Sequence, residues 1–202
     1  MIAIVDYGLG NIEAFKNIYK RLAIPVTTAQ TAGQLAGASK IILPGVGSFD
    51  WAMQKLEDSG MRPQLDQLVL QQQMPVLGIC VGMQMMARSS EEGKRAGLGW
   101  LDATVRLLPA VDARESILLP HMGWNDAVPS PSGLFTGLPA PRFYFLHSYY
   151  FECQNPQDRL AVTTYGGQFT SAVAHGNIFG VQFHPEKSHQ WGMRLLKNFA
   201  EL

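Results

Sequence analysis

Val76-Leu77-Gly78-Ile79-Cys80-Val81-Gly82-Met83-Gln84 opens as an apolar strand-like run, breaks at a glycine-flanked turn and continues with helical spacing over residues 81–88. The G-x-C-x-G spacing places the smallest residues two before and two after the cysteine. Neighbouring backbone then avoids a side chain held on a sharp strand-to-helix corner. Cys80 is expected to project at a helix N-terminus, where unpaired N–H groups favour thiolate over thiol. Taken alone, the pentapeptide fits a buried cysteine closing an ordinary β-α unit equally well, since free cysteine is among the most buried residue types.

A second run, Ile178-Phe179-Gly180-Val181-Gln182-Phe183, leads directly into His184-Pro185-Glu186. Residues two apart in extended chain share a face. Pro185 fixes its own φ and drives His184 toward an extended conformation, so imidazole and carboxylate are expected side by side at the strand's end. The imidazole can take a thiol proton and later protonate a leaving amine, while the carboxylate fixes its tautomer. A lone histidine is more often structural. With the cysteine elbow, a triad of Cys80, His184 and Glu186 becomes the better reading.

Lys40-Ile41-Ile42-Leu43-Pro44-Gly45-Val46-Gly47 is another strand-like run ending in a glycine-rich loop. Attack by a thiolate builds negative charge on a carbonyl oxygen and needs preorganised N–H donors. The N–H of Val81 and one from the loop Gly45, Val46, Gly47 are the candidates for this oxyanion hole. A tight β-α turn would explain the glycines as well, but not their company.

Across the first half, residues 2–5, 26–29, 40–43 and 76–79 read as buried strands, and residues 12–22, 49–57, 64–72 and 81–88 as helices. This alternation predicts an α/β fold, a doubly wound, mostly parallel sheet with helices on both faces. Its ligands bind beyond the C-terminal strand ends, where Asp6, Pro44 and Cys80 fall. From 98 to 183 the pattern becomes shorter and β-rich, with a hairpin expected at His175-Gly176-Asn177, and reads as an antiparallel β extension of the same sheet. No Ser-rich linker or composition break divides the chain, so residues 1–202 are expected to form a single domain. Ser188 is placed to cap a last helix whose Trp191, Leu195, Leu196 and Phe199 form a core-facing stripe.

The chain resembles the class I, triad-type glutamine amidotransferases essentially end to end. Its marks are Asp6-Tyr7-Gly8-Leu9-Gly10-Asn11, Pro44-Gly45-Val46-Gly47-Ser48-Phe49, the cysteine elbow, His121-Met122-Gly123-Trp124-Asn125, Phe145-Leu146-His147-Ser148-Tyr149 and Gly180-Val181-Gln182-Phe183-His184-Pro185-Glu186-Lys187-Ser188. Within that family, the segments around Trp124 and Lys187 resemble the subunits that serve histidine biosynthesis. The resemblance implies a flavodoxin-like fold and hydrolysis of L-glutamine to glutamate and ammonia through a γ-glutamyl thioester. Gly47, Gln84, Glu92, Ser148 and Tyr149 would bind glutamine. It also implies a heterodimer partner, a (β/α)8-barrel cyclase subunit, contacted by Asn11, Trp124, Tyr144 and Lys187 and supplied directly with ammonia. Low resting activity follows, with a peptide rotation at Gly45-Val46 completing the oxyanion hole once the partner's ligand binds. Alternatives are the amidotransferase subunit of anthranilate or aminodeoxychorismate synthase, a cysteine peptidase or deglycase on a related sheet, and a non-catalytic regulatory module on the same scaffold.

Composition fits these expectations. The 202 residues are 47% hydrophobic, and a domain of this size buries roughly 70% of its extended-chain surface. A formal net charge of zero argues against a polyanion-binding face. The start of the chain lacks the features of a secretory leader, and no apolar run approaches the roughly 20 residues that span a bilayer, so a cytoplasmic setting is expected. Cys153, the second cysteine, is then a structural or surface thiol. The third fingerprint position after Gly8-Leu9-Gly10 is Glu13, and Gly93-Lys94 lacks the rest of a phosphate loop. Neither cofactor nor metal is expected.

Overall fold

The computed structural model of the chain describes residues 1–108 and 117–202; the part of the β-rich stretch at 109–116 lies outside them. The first half runs β1 (Ile2–Val5), α1 (Ile12–Arg21), β2 (Val26–Ala29), β3 (Lys40–Gly45), α2 (Phe49–Asp58), α3 (Arg62–Asp66), β4 (Val76–Cys80) and α4 (Val81–Gln84). Short strands follow: β5 (Ser89–Ser90), β6 (Ala103–Leu107), β7 (His121–Asp126), β8 (Val128–Pro129), β9 (Arg142–His147) and β10 (Tyr149–Cys153). The chain closes with β11 (Arg159–Thr164), β12 (Gln168–His175), β13 (Ile178–Val181) and α5 (His189–Glu201).

An eight-stranded sheet in the order β2-β1-β3-β4-β13-β12-β11-β8 forms the centre. Its β2-β1-β3-β4-β13 portion is parallel and the remainder antiparallel. Strands covered on both faces read as continuous apolar runs, and β1, β4 and residues 41–45 of β3 are buried throughout. β2, at the edge, is half-buried over residues 26–28 and buried only at Ala29. The hairpin is present: His175 pairs with Ile178 across a Gly176-Asn177 turn with Gly176 at φ +56°, the positive φ such two-residue turns require.

Four expectations are corrected. The antiparallel extension is divided, because β10-β6-β5 and β7-β9 form sheets of their own. The helix expected over 81–88 is one turn: the N–H groups of Leu98, Leu101 and Gly99 take the carbonyls of Met85, Met86 and Ala87, and Arg88 donates to Ala103. The helix expected over 64–72 starts at Arg62, two residues earlier, and passes into a π turn at Gln67–Gln71. The strand expected over 178–183 stops at Val181, and Pro185–Lys187 is a 3-10 turn, with proline at its first position where a missing N–H costs nothing.

Among the described residues, no helix is long and apolar enough to cross a membrane. Cys153 is a free, buried thiol, and burial pushes its pKa up to about 12, far from the range of a reactive cysteine.

Candidate active site

Cys80 ends β4 with φ +55° and ψ −114°, a region non-glycine residues avoid. The bend is enforced by close packing. A Cβ on Gly82 would strike the carbonyl oxygen of Leu43 in β3, and one on Gly78 would lie 2.8 Å from the Cα of Met83. Both glycines therefore let α4 fold back over the strands that carry it. Cys80 is the N-cap of α4, a single turn beginning at Val81, and the groups around the sulfur are local. Gln182 Nε2 lies 3.8 Å from Sγ and the carbonyl oxygen of Leu146 lies 3.9 Å away.

His184 is bridged to β9, its N–H donating to the Tyr144 carbonyl at 2.8 Å. Its Nδ1 donates to Glu186 Oε1 at 2.8 Å, which leaves Nε2 for the thiol. Both side chains are almost wholly buried. The pair meets through the 3-10 turn rather than along one strand face. Ser188 holds that turn: Oγ donates to the His184 carbonyl at 2.6 Å and accepts the Tyr144 N–H at 3.0 Å. It occupies the N-cap position of α5, its carbonyl accepting the Gly192 N–H, but its side chain makes no bond to that helix, so its expected side-chain capping is replaced by a tie between the turn and β9. Burial favours neutral His184, but hydrogen bonding and charge at Cys80 and Glu186 outweigh it and raise the pKa to about 10.

Beside this pair opens a cavity of about 300 Å³ whose lining includes Val46, Gly47, Cys80, Val81, Gln84 and Glu92, together with His147, Ser148, Tyr149, His184 and Lys187. It gathers every residue expected to bind glutamine and, apart from Gly45, every residue expected at the oxyanion hole. Gly45 is buried behind it, where an added Cβ would overlap the Gly82 N; close approach thus gives a second reason for that glycine. Gly47, at φ +90°, does occupy a glycine-favouring conformation. Glu92 Oε2 accepts the Phe49 N–H of α2 at 2.8 Å, and Gln84 Nε2 donates to the Tyr149 carbonyl and to Gln182 Oε1, both at 3.0 Å. Paired acids often end as a solvated charge run. Here Glu92 is fixed at the pocket, while Glu91 pairs with Arg106 outside it.

The family model for class-I glutamine amidotransferases matches residues 3–202. The chain belongs to this family. It is 62% identical over 204 residues to imidazole glycerol phosphate synthase subunit HisH of Bdellovibrio bacteriovorus and 49% identical to the HisH subunit of Leptospira interrogans, with all of this chain and all of each relative covered. A solved crystal structure of a glutamine amidotransferase superposes with a TM-score of 0.76 at 19% identity, over 100% of this chain and 99% of that one. This last likeness bears on the fold alone.

For a class-I amidotransferase, three further residues at this site carried little signal in the sequence. Gln182, wholly buried, is a lone polar residue inside an apolar run, and that break in the pattern was its one legible mark. The Tyr7 hydroxyl donates to the Pro44 carbonyl at 2.7 Å, bracing the end of β3; burial, with the charge of Cys80, raises its pKa far above the usual phenol range. Asp50 accepts the N–H groups of Lys94 and Arg95 at 2.9 Å. Those bonds hold its pKa below the ordinary carboxylate value and tie the Glu92 loop to α2. Of the residues expected to face a partner, Trp124, Tyr144 and Lys187 cluster: Trp124 meets Tyr144 edge to face at 6.4 Å, and Lys187 Nζ lies 5.7 Å from the Tyr144 ring centre. Asn11 starts α1, which packs against the turn carrying Lys187.

Proposed function

We propose that this amidotransferase is the glutaminase subunit of an imidazole glycerol phosphate synthase. In this reading the Cys80 thiolate attacks the side-chain carboxamide carbon of L-glutamine. The oxyanion is received by N–H groups of Val81 and the Gly45, Val46, Gly47 loop. The His184 imidazolium protonates the departing nitrogen, releasing ammonia and leaving the γ-glutamyl thioester. His184 then takes a proton from water as it attacks the thioester, and glutamate leaves with Cys80 restored. Glu186 keeps Nδ1 protonated throughout and stabilises the cation.

The observation that carries this reading is the buried His184–Glu186 bond beside a cysteine held at φ +55°, on one wall of a pocket lined by Gln84 and Glu92. A silent regulatory module has no need of so strained a cysteine. Ammonia freed into water at neutral pH is mostly protonated and no longer nucleophilic, so a second active site must receive it. A (β/α)8-barrel cyclase chain is the proposed recipient, docked over the pocket mouth at Asn11, Trp124, Tyr144 and Lys187. Support for such docking comes from the outer face of the β7-β9 ribbon, where Met122 pairs with Leu146 and Trp124 with Tyr144. Met122, Leu146 and Trp124 are all exposed apolar side chains. Rotation of the Gly45-Val46 peptide would make turnover depend on that partner's ligand, and the reading places the complex in the cytoplasm.

Glutamate release tests the proposal, measured for wild type and Cys80→Ala with and without the cyclase chain and its nucleotide substrate. Wild type should accelerate in the loaded complex, and Cys80→Ala should be silent while still binding the partner. Glutamate release by Cys80→Ala would overturn the mechanism. Equal rates for the isolated chain and the loaded complex would overturn the activation step, and co-purification with a chorismate-binding chain would overturn the partner.

A further inference from the structure

Two histidines outside the triad, His121 at the start of β7 and His147 at the end of β9, lie opposite each other in the ribbon and are both buried. His121 Nδ1 and His147 Nε2 are 3.0 Å apart. His147 Nδ1 lies 2.8 Å from the Tyr149 carbonyl, and His121 Nε2 lies 3.2 Å from Asn125 Nδ2.

The proton positions along this chain follow from its two ends. Asn125 Nδ2 also donates to the Thr164 carbonyl, and Asn125 Oδ1 accepts the Asp126 N–H, so the amide cannot be turned over. The atom facing His121 Nε2 is therefore a donor, and Nε2 carries no proton. His121 must then be protonated on Nδ1, and it donates to His147 Nε2. At the far end a carbonyl can only accept, so His147 is protonated on Nδ1 as well. Each ring holds one proton, always on the same nitrogen.

The surroundings agree with two uncharged rings. His121 is stacked between Tyr165, with centroids 4.0 Å apart, and Phe145, at 4.8 Å. Phe169 meets both imidazoles, and the Tyr165 hydroxyl is turned to the Leu118 carbonyl. Burial holds the pKa of His121 down at about 4. Burial outweighs the Tyr149 bond and is the main cause that holds that of His147 at about 3.

The Tyr149 carbonyl on which the chain ends also receives Gln84 Nε2, whose other proton goes to Gln182 Oε1, and Gln182 in turn donates to the Cys80 sulfur. We propose that His121 and His147, both neutral and both protonated on Nδ1, form a positioning relay that fixes the Ser148-Tyr149 backbone and Gln84 in the glutamine pocket. Neither histidine exchanges a proton with substrate. Their work is to fill one acceptor site on a carbonyl that the pocket wall shares with Gln84. The role in glutamine recognition rests on the glutaminase reading above; the tautomers do not.

Two measurements test the relay. Long-range 15N–1H correlation spectra of the labelled full chain, assigned with His121→Phe, should give both rings as Nδ1–H tautomers with shifts constant from pH 5.5 to 8. An Nε2–H signature for either ring, or titration near pH 6.5, would overturn the proposal. In glutaminase assays with the partner chain, His121→Phe keeps the stacking but removes the donor to His147. It should raise the glutamine KM by about tenfold with kcat within about twofold, and His121→Gln, which restores an N–H donor, should recover most of the loss. An unchanged KM in His121→Phe would overturn the proposal, as would a loss confined to kcat. If that variant fails to fold, the wild-type spectra and His121→Gln still decide. Absence of wild-type turnover would overturn the glutaminase reading, whereas the tautomers are read independently of turnover.

Discussion

Cys80 is held at φ +55°, a conformation that costs roughly 1–3 kcal/mol and persists where surrounding structure overdetermines it. His184 is tuned in the opposite direction from the buried histidine pair, since partners at Cys80 and Glu186 overcome desolvation and stabilise its cation. Because the folded imidazole binds its proton more tightly than a free one, its contribution to stability is complete below pH 6.5 and is lost as pH rises through about 10. The alkaline limb of kcat/KM should accordingly lie well above the ordinary histidine range. Glu186→Gln should bring that limb down toward neutrality and lower kcat by roughly 10²- to 10⁴-fold, as read from pH–rate profiles of both proteins.

Single elements here are short, and their ends carry the chemistry. The elbow is possible because β3, β4 and α4 meet at glycines. Gly82→Ala should destabilise the fold by about 3 kcal/mol or more, because the added methyl meets a backbone carbonyl that cannot move aside; urea unfolding measures it. Ser188 is the equivalent tie for the histidine turn. Ser188→Ala leaves the Tyr144 N–H and the His184 carbonyl without their Oγ partner. It should cost about 1–3 kcal/mol and reduce kcat by loosening His184, an effect that Ser188→Thr should partly spare. Neither tie is legible in one dimension. The sequence marks Gly78 and Gly82 as small and Ser188 as a cap, but the carbonyl of Leu43 and the N–H of Tyr144 arrive from elements far along the chain.

For the whole molecule, the arrangement separates a buried parallel core from a ribbon that faces outward above the pocket. Trp124 is stacked on His189 with their planes 6° apart and touches Tyr144 and Trp191, which presents its ring as a rigid anchor. Trp124→Ala should weaken association with the proposed partner subunit by at least about 2 kcal/mol, or roughly 30-fold in Kd, with the chain's own melting temperature little changed. Titration calorimetry against the proposed partner reads the first effect, and thermal unfolding of the isolated chain reads the second.

The alternation of apolar runs with helical stretches, together with Gly-x-Cys-x-Gly and His-Pro-Glu, determined by itself the parallel sheet, the cysteine elbow and the histidine–carboxylate pair. Those are local consequences of periodicity, glycine placement and proline's fixed φ. The tertiary structure alone decided that the elbow helix is one turn and that, among the described residues, the extension is divided between the central sheet and separate smaller ones. It also decided that Gln182 reaches the sulfur and that two histidines 26 residues apart come within hydrogen-bond distance. The reason is physical: those outcomes depend on which distant carbonyls and N–H groups are brought within about 3 Å, and no spacing along the chain encodes that.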